Sequence, residues 1–184
     1  MAAQPAPVTL ADFELMKKTA AMDDRDIALL RTSKSILAGQ TDAILDVWYG
    51  FVGSHPHLLR YFSAPDTGAP IPEYLAAVRE RFARWILDTA AAEFDEKWLA
   101  HQIEIARRHH RTGKNSTDGA RSVDHIHYRY IVPLLVPVTA TLRPFLEKGG
   151  ASATTVDGML AAWLKAVVLQ VTLWSIPYCN PGDF

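Results

Sequence analysis

Apolar residues recur at helical spacing along almost the whole chain, and no stretch alternates polar and apolar residues for long enough to predict a β-strand. The clearest case follows Pro72, where six large apolar residues share one helical face. They are Tyr74, Leu75, Val78, Phe82, Trp85 and Ile86. We therefore expect an all-α fold of about seven or eight helices packed in layers.

Capping residues and breakers predict where several of these helices begin and end. Thr9 and Asp95 have the residue types that cap helix N-termini, and Gly149–Gly150 is typical of a helix stop. The predicted segments include Leu10–Ala20, a helix opening at Pro72, a proline-containing and kinked helix over Val123–Leu146, and Met159–Ile176.

The last of these segments, MLAAWLKAVVLQVTLWSI, has about the minimum length for a membrane span. Lys165 lies near its middle, where a charge in lipid is costly, so we expect a helix buried in protein instead. Trp163, Val167, Leu169 and Leu173 spread around it more widely than one core stripe needs. This favours a two-fold dimer through Ile131–Leu142 and Met159–Ile176, the alternative being a central core helix wrapped by the others.

Composition indicates an ordinary globular chain and excludes several classes of function. The 184 residues suit one domain over 1–184, and 49% are hydrophobic and 21% charged. A net charge of −1 argues against a dedicated nucleic-acid-binding protein. Cys179, the single cysteine, can form neither an internal disulfide nor a cysteine-based metal site, which suits the cytoplasm. Met1–Val8 lacks the charge and apolar run of a signal peptide.

The histidines offer the only candidate metal ligands. His109 and His110 lie in RRHHR at the end of a predicted helix, where neighbouring side chains point ~100° apart and only one can face inward. A structural histidine, a metal ligand and a phosphate-binding basic patch remain open for this pair. His55-x-His57 and His125-x-His127 lack a second cluster at ligand spacing. Sequence signatures of hydrolases, nucleotide-binding loops and zinc peptidases are absent.

Aromatic and apolar residues on two helices suggest one side of a pocket. Trp48 and Tyr49 come from one predicted helix and Val78 and Phe82 from another, and His109 from a third could face them. A flat apolar cofactor held by one histidine would need this arrangement. Without a cofactor the same residues would form ordinary core.

Five segments carry a resemblance to a known family. They are ILDVWYGFVGSHPHLLRYF (44–62), EYLAAVRERFARWILDT (73–89), RRHHRTGKNSTD (107–118), YRYIVPLLVPVTATLRPFL (128–146) and AAWLKAVVLQVTLWSIPY (161–178). In register from about Thr9 to Phe184, the chain resembles the protoglobins, single-domain haem proteins related to the sensor domains of globin-coupled sensors. The resemblance implies a three-over-three globin fold with an extra N-terminal helix, and dimers formed by the last two long helices.

The resemblance also implies roles for individual residues. His109 matches the haem-iron ligand and His110 a neighbour outside the coordination shell. Trp48, Tyr49 and Phe82 match the aromatic residues that contact the bound gas, and Arg81 matches a basic residue near a haem propionate. The full set expected to contact the cofactor is Trp48, Tyr49, Val78, Arg81, Phe82, Trp98, Ile105 and Leu134.

Val78 falls where many ordinary globins place a distal histidine. Two departures from the family are visible. Only MAAQPAPV precedes the first helix, in place of the longer arm that covers the haem edge in relatives, and Leu134 occupies a position often filled by phenylalanine beside an apolar access tunnel.

The resemblance therefore implies a haem b protein that reversibly binds O₂, CO and NO at a His-ligated iron in an apolar pocket. Two alternatives stay open, a haem enzyme (peroxidase-like or an NO dioxygenase, served by an unidentified reductase) and a gas sensor acting through a separate partner. Neither nucleic acid nor a membrane is expected as a partner.

Overall fold

The chain folds into eight α-helices in the computed structural model, which describes residues 8–180 and 182–184. The helices are α1 (Leu10–Thr19), α2 (Asp24–Leu37), α3 (Thr41–Gly53), α4 (Pro56–Leu59), α5 (Pro72–Ala91), α6 (Glu96–His109), α7 (Tyr128–Glu147) and α8 (Ala153–Trp174). Short 3₁₀ turns cover Arg60–Phe62 and Ile176–Tyr178. The described residues contain no β-strand, only an isolated bridge between Ser63 and Pro70, so the predicted all-α class is confirmed.

Local capping explains where the first helices begin. The side chain of Thr9 accepts a hydrogen bond from the backbone of Asp12, and Asp12 returns one to Thr9. Asp95 caps α6 by accepting from the backbone N–H of Trp98, without a return bond. These bonds satisfy backbone donors that a helix leaves free at its first turn, and they confirm the predicted caps.

Two predicted starts were wrong. The seventh helix begins at Tyr128 and not at Val123, because the preceding loop takes its backbone partners from elsewhere in the fold. For example, the N–H of Ile126 donates to the carbonyl oxygen of His109 at 3.0 Å. The eighth helix begins at Ala153, six residues before Met159, because the Ser152 side chain caps it through the backbone N–H of Thr155.

Helix α8 forms the centre of the fold and packs against α2, α5, α6 and α7. Segment 153–178 is long and apolar enough to cross a membrane, but 56% of the apolar window is buried inside this fold. Trp163 and Met159 on α8 are fully buried, and Leu173 is too. Such burial is typical of the core helix of a globular domain.

The outward face of α8 differs from the sequence prediction. Trp163, Val167, Leu169 and Leu173 are all buried in the core, so none of them belongs to an outer face. Leu164 and Val168 are the exposed large apolar residues of this helix. Because α8 is apolar almost all round, periodicity alone could not separate its inner from its outer side.

The buried apolar residues form two clusters with a looser layer between them. The smaller cluster contains Trp48, Val52 and Leu58, and the larger one surrounds α8. Tyr49, Phe82 and Val138 are only half-buried and contact both clusters. Helices α5 and α6 both pack on α8. A small apolar pocket is lined by residues of α3, α5, α7 and α8, among them Trp48, Phe82 and Trp163.

Candidate functional site

His109 is the last residue of α6, and its imidazole is held in one tautomer. Its Nδ1 lies 2.9 Å from the carbonyl oxygen of Ile105, one turn earlier on the helix. A carbonyl oxygen only accepts, so Nδ1 carries the proton and Nε2 keeps its lone pair. Burial penalises the cationic form and lowers the pKa of His109 to about 4. At neutral pH the side chain is therefore a neutral imidazole whose Nε2 has a free lone pair to offer a metal.

Trp174, at the end of α8, stacks on the His109 ring. The ring centroids are 5.0 Å apart and the planes differ by 24°. The indole N–H of Trp174 donates to Oε1 of Gln102 at 3.0 Å, and both side chains are buried. Sequence reasoning missed both residues, because a tryptophan and a glutamine on apolar helix faces look like ordinary core.

His110 faces a different set of neighbours. Its Nδ1 lies 3.1 Å from the Thr112 hydroxyl, and its ring contacts the rings of His125 and Tyr178, each at 5.0 Å. The two adjacent histidines thus have separate environments, because α6 ends at His109 and the backbone of His110 is already extended. Only His109 has its ring against the central helix.

The aromatic pair on α3 lies beside Phe82 of α5. The rings of Trp48 and Phe82 meet edge-on at 5.6 Å, and the ring of Tyr49 is 6.5 Å from that of Phe62. The Tyr49 hydroxyl is buried and has no hydrogen-bond partner. Burial raises the pKa of Tyr49 to about 12, so the hydroxyl stays protonated. A buried O–H without an acceptor is costly, which indicates that something else normally occupies the space before it.

Aromatic contacts connect the two sides of the site. From His109 they pass through Trp174, Trp85 and Phe82 to Trp48, with ring centroids 5.0 to 6.1 Å apart at each step. The structure thus brings three of the predicted site residues, His109, Phe82 and Trp48, onto one continuous wall built from α6, α8, α5 and α3.

A cleft of about 620 Å³ opens between the start of α5 and the loop at 118–121. Tyr74, Ala77, Asp118 and Arg121 are among its lining residues. Beside it the guanidinium of Arg81 donates two hydrogen bonds to the carboxylate of Asp118, at 2.8 and 2.6 Å. This bidentate pair joins α5 to the loop that follows α6.

Lys114, in that same loop, is a buried cation held by neutral oxygens. Its Nζ donates to the carbonyl oxygen of Tyr61 at 2.9 Å, to Oδ1 of Asn115 at 3.2 Å and to the Ser122 hydroxyl at 3.3 Å. Among the described residues it has no carboxylate partner. Burial lowers the pKa of Lys114 to about 8. The lysine ties the segment after α4 to the loop that leads away from His109.

The remaining predicted residues fall into two groups. Val78, Ile105 and Leu134 are half-buried on the helices that border the site. Trp98 lies elsewhere, in the first turn of α6, with its ring 5.0 Å from Phe13 and 4.9 Å from Phe94. Eleven residues separate it from His109, about 16 Å along a helix, so the structure does not place it with the others.

The donor set decides which kind of cofactor fits. No group of three or more His, Cys, Asp or Glu side chains suited to a metal ion occurs in the part of the chain that the structure describes. A bare ion would have too few protein ligands at His109, whereas haem brings four nitrogen ligands of its own and needs only one histidine. The free lone pair, the half-buried apolar walls and the unpartnered Tyr49 hydroxyl all fit that group.

Comparison with known proteins identifies the fold and the family. The globin domain of the Geobacter sulfurreducens globin-coupled sensor superposes with a TM-score of 0.69 over 91% of this chain and 97% of its own, at 14% identity. This likeness establishes the globin fold. No curated protein sequence matches significantly. The protoglobin family model matches residues 9–183, and the chain therefore belongs to the protoglobin family.

Proposed function

We propose that this protoglobin binds haem b through Nε2 of His109 and reversibly binds O₂, CO and NO on the side of Tyr49. The observation that carries the proposal is the state of His109, a neutral imidazole whose Nδ1–H is committed to Ile105 and whose Nε2 is free. When bound, haem supplies an iron with one open position for a diatomic gas.

The proximal residues orient the imidazole. The hydrogen bond to the Ile105 carbonyl fixes the tautomer and makes Nε2 a better electron donor, as such partners do for metal-bound histidines generally. Since the carbonyl belongs to the same helix, the ring is held without support from a flexible loop.

On the side of the proposed gas ligand, Tyr49 is the first candidate hydrogen-bond donor. The hydroxyl of Tyr49 is protonated and unpartnered, so it can donate to a partly negative gas ligand such as O₂. The indole of Trp48 is the second candidate donor. Phe82, Val78 and Leu134 add apolar surface that excludes water and offers CO no hydrogen bond.

Arg81 supports the proposal at the edge of the site. A guanidinium has five N–H donors, and Asp118 uses two of them. The remaining donors can hold a haem propionate while the pair with Asp118 keeps the guanidinium in place.

We also propose a homodimer through α7 and α8. Four large apolar residues are exposed on these helices, namely Val132, Val136, Leu164 and Val168. Each helix presents its two residues one turn apart. Because α7 and α8 pack against each other, we propose that these four residues form one patch suited to a self-complementary contact.

The test is to purify the protein, reconstitute it with haem and record ultraviolet–visible spectra of the oxidised, reduced and CO-bound forms. We expect a five-coordinate ferrous form that binds CO fully and releases it under inert gas. A protein that takes up no stoichiometric haem, or binds none of the three gases, would contradict the proposal. Stopped-flow turnover with peroxide and a reductant then separates a gas-binding protein from a haem enzyme.

A further inference from the structure

We infer that Trp174 is a positioning residue that sets the orientation of the His109 ring, and that Gln102 in turn holds Trp174 in place. The inference rests on the proposed function, because it concerns the histidine assigned there as the iron ligand. It adds a second constraint to the hydrogen bond from Nδ1.

One hydrogen bond cannot fix a ring completely. The bond from Nδ1 to the Ile105 carbonyl restrains one atom of the imidazole but still allows it to tilt about that contact. A flat indole at 5.0 Å with its plane only 24° away limits that tilt, because the two faces lie against each other. Together the two contacts define the direction in which Nε2 points.

The indole itself is held rigidly. Trp174 is 9% exposed and Gln102 only 1%, and the bond between them is 3.0 Å long. A buried N–H that loses its acceptor is destabilising, so rotating Trp174 away from His109 is opposed by the loss of this bond. The ring of Trp85 also contacts the indole, with the ring centroids 6.1 Å apart.

Gln102, His109 and Trp174 connect α6 to α8 beside the proposed iron ligand. Gln102 and His109 lie on α6, two turns apart, and Trp174 reaches them from the last turn of α8. The orientation of the imidazole thus depends on how α8 packs against α6, and not only on the helix that carries it.

The test uses resonance Raman spectra of the reduced, haem-reconstituted protein, in which the iron–histidine stretching band reports the orientation and strength of that bond. We expect Trp174→Leu to shift and broaden the band, because the stacking face is lost. Trp174→Phe keeps a flat ring and should restore a band close to that of the wild type. Gln102→Met removes the acceptor with little change of volume and should broaden the band.

Trp163→Leu is the matched control. Trp163 lies on the same helix, is fully buried and donates its indole N–H to Ser33 at 2.9 Å, but the structure gives it no contact with His109. Its loss should lower stability and leave the band unchanged. If Trp174→Leu fails to fold, the comparison of Gln102→Met with wild type decides.

The outcomes separate this inference from the proposed function. If neither Trp174→Leu nor Gln102→Met alters the band, the positioning role is overturned and the proposed function still stands. An equal shift in Trp163→Leu would overturn it as well, since the effect would then be general loosening of α8. Absence of any iron–histidine band in the wild type would overturn the assignment of His109 and the inference with it.

Discussion

The carbonyl oxygen of Ile105 lies 2.9 Å from Nδ1 of His109, so the helix that carries the histidine also selects its tautomer. A backbone carbonyl oxygen has two lone pairs, so that of Ile105 can take its place in the helical ladder and also accept from the imidazole of the residue four positions later. The same helix thus leaves Nε2, the nitrogen proposed to bind iron, with its lone pair free.

This relationship predicts different results for the two adjacent histidines. His109→Ala should abolish stable haem binding, with partial recovery when imidazole is added, because the free Nε2 is lost. His110→Ala should keep the five-coordinate ferrous spectrum, because His110 faces His125 and Tyr178. Haem titration followed by absorbance measures both. The assignment is wrong if the two phenotypes are exchanged.

The unpartnered hydroxyl of Tyr49 predicts a selective effect on O₂. A hydrogen bond to bound gas contributes about 0.5–1.5 kcal/mol, and more when the acceptor carries charge. Tyr49→Phe should therefore speed O₂ dissociation by roughly threefold to tenfold or more, at ~1.4 kcal/mol per factor of ten. CO accepts hydrogen bonds poorly, so its dissociation rate is the internal control. Equal changes for both gases would mean that Tyr49 acts through packing or access.

Leu134 predicts an effect on ligand entry that is independent of Tyr49. Its half-buried side chain borders the cluster around Trp48 and is smaller than phenylalanine. Leu134→Phe should slow CO association measured by flash photolysis and leave CO dissociation nearly unchanged, because the filled space lies on the route and not at the bound gas. A change confined to dissociation would show that residue 134 contacts the bound ligand instead.

Much of the helical framework could be predicted from the sequence, since caps such as Thr9 and the periodicity before Trp85 are local signals. The role of His109 as a ligand rests on the family resemblance and stays a prediction. The course of the loop after His109 could not be predicted from the sequence. Its course depends on bonds such as that from Lys114 to Tyr61, which are 53 residues apart and have no local pattern. Trp174 was missed for the same reason, because only the packing of α8 on α6 brings it to the imidazole.

The buried lysine predicts a pH dependence of stability. The pKa of Lys114 is 10.5 in an unfolded chain and about 8 in the fold, so between these values the unfolded state binds more protons. The free energy of unfolding should therefore gain up to about 1.4 kcal/mol per pH unit from this group as pH rises through the window. Tyr49 and Tyr74 should lower the free energy of unfolding as pH rises above ~10. Burial raises the pKa of each to about 12, so in that range the folded state binds more protons than the unfolded state.

Urea unfolding of wild type and Lys114→Met at pH 7 to about 9.5 measures this contribution, with Tyr titration kept outside the range. We expect the stability of the wild type to rise with pH relative to that of the variant. Arg111→Met, which removes an exposed cation from the same loop, should follow the wild type. If the free energy of unfolding changes with pH in the same way for wild type and Lys114→Met, burial does not lower the pKa of Lys114 and the prediction is wrong.

The exposed apolar patch on α7 and α8 predicts the oligomeric state. Val136 is 63% exposed and Leu164 44% exposed, and burying both from each of two subunits would remove them from water. We expect the wild type to be a dimer in light scattering at micromolar concentration, and Val136→Glu or Leu164→Glu to be a monomer with an unchanged haem spectrum. Leu15→Glu is the matched control, since Leu15 on α1 is 61% exposed and lies on a different helix. A monomeric wild type, or dissociation by Leu15→Glu as well, would rule out this patch as the interface.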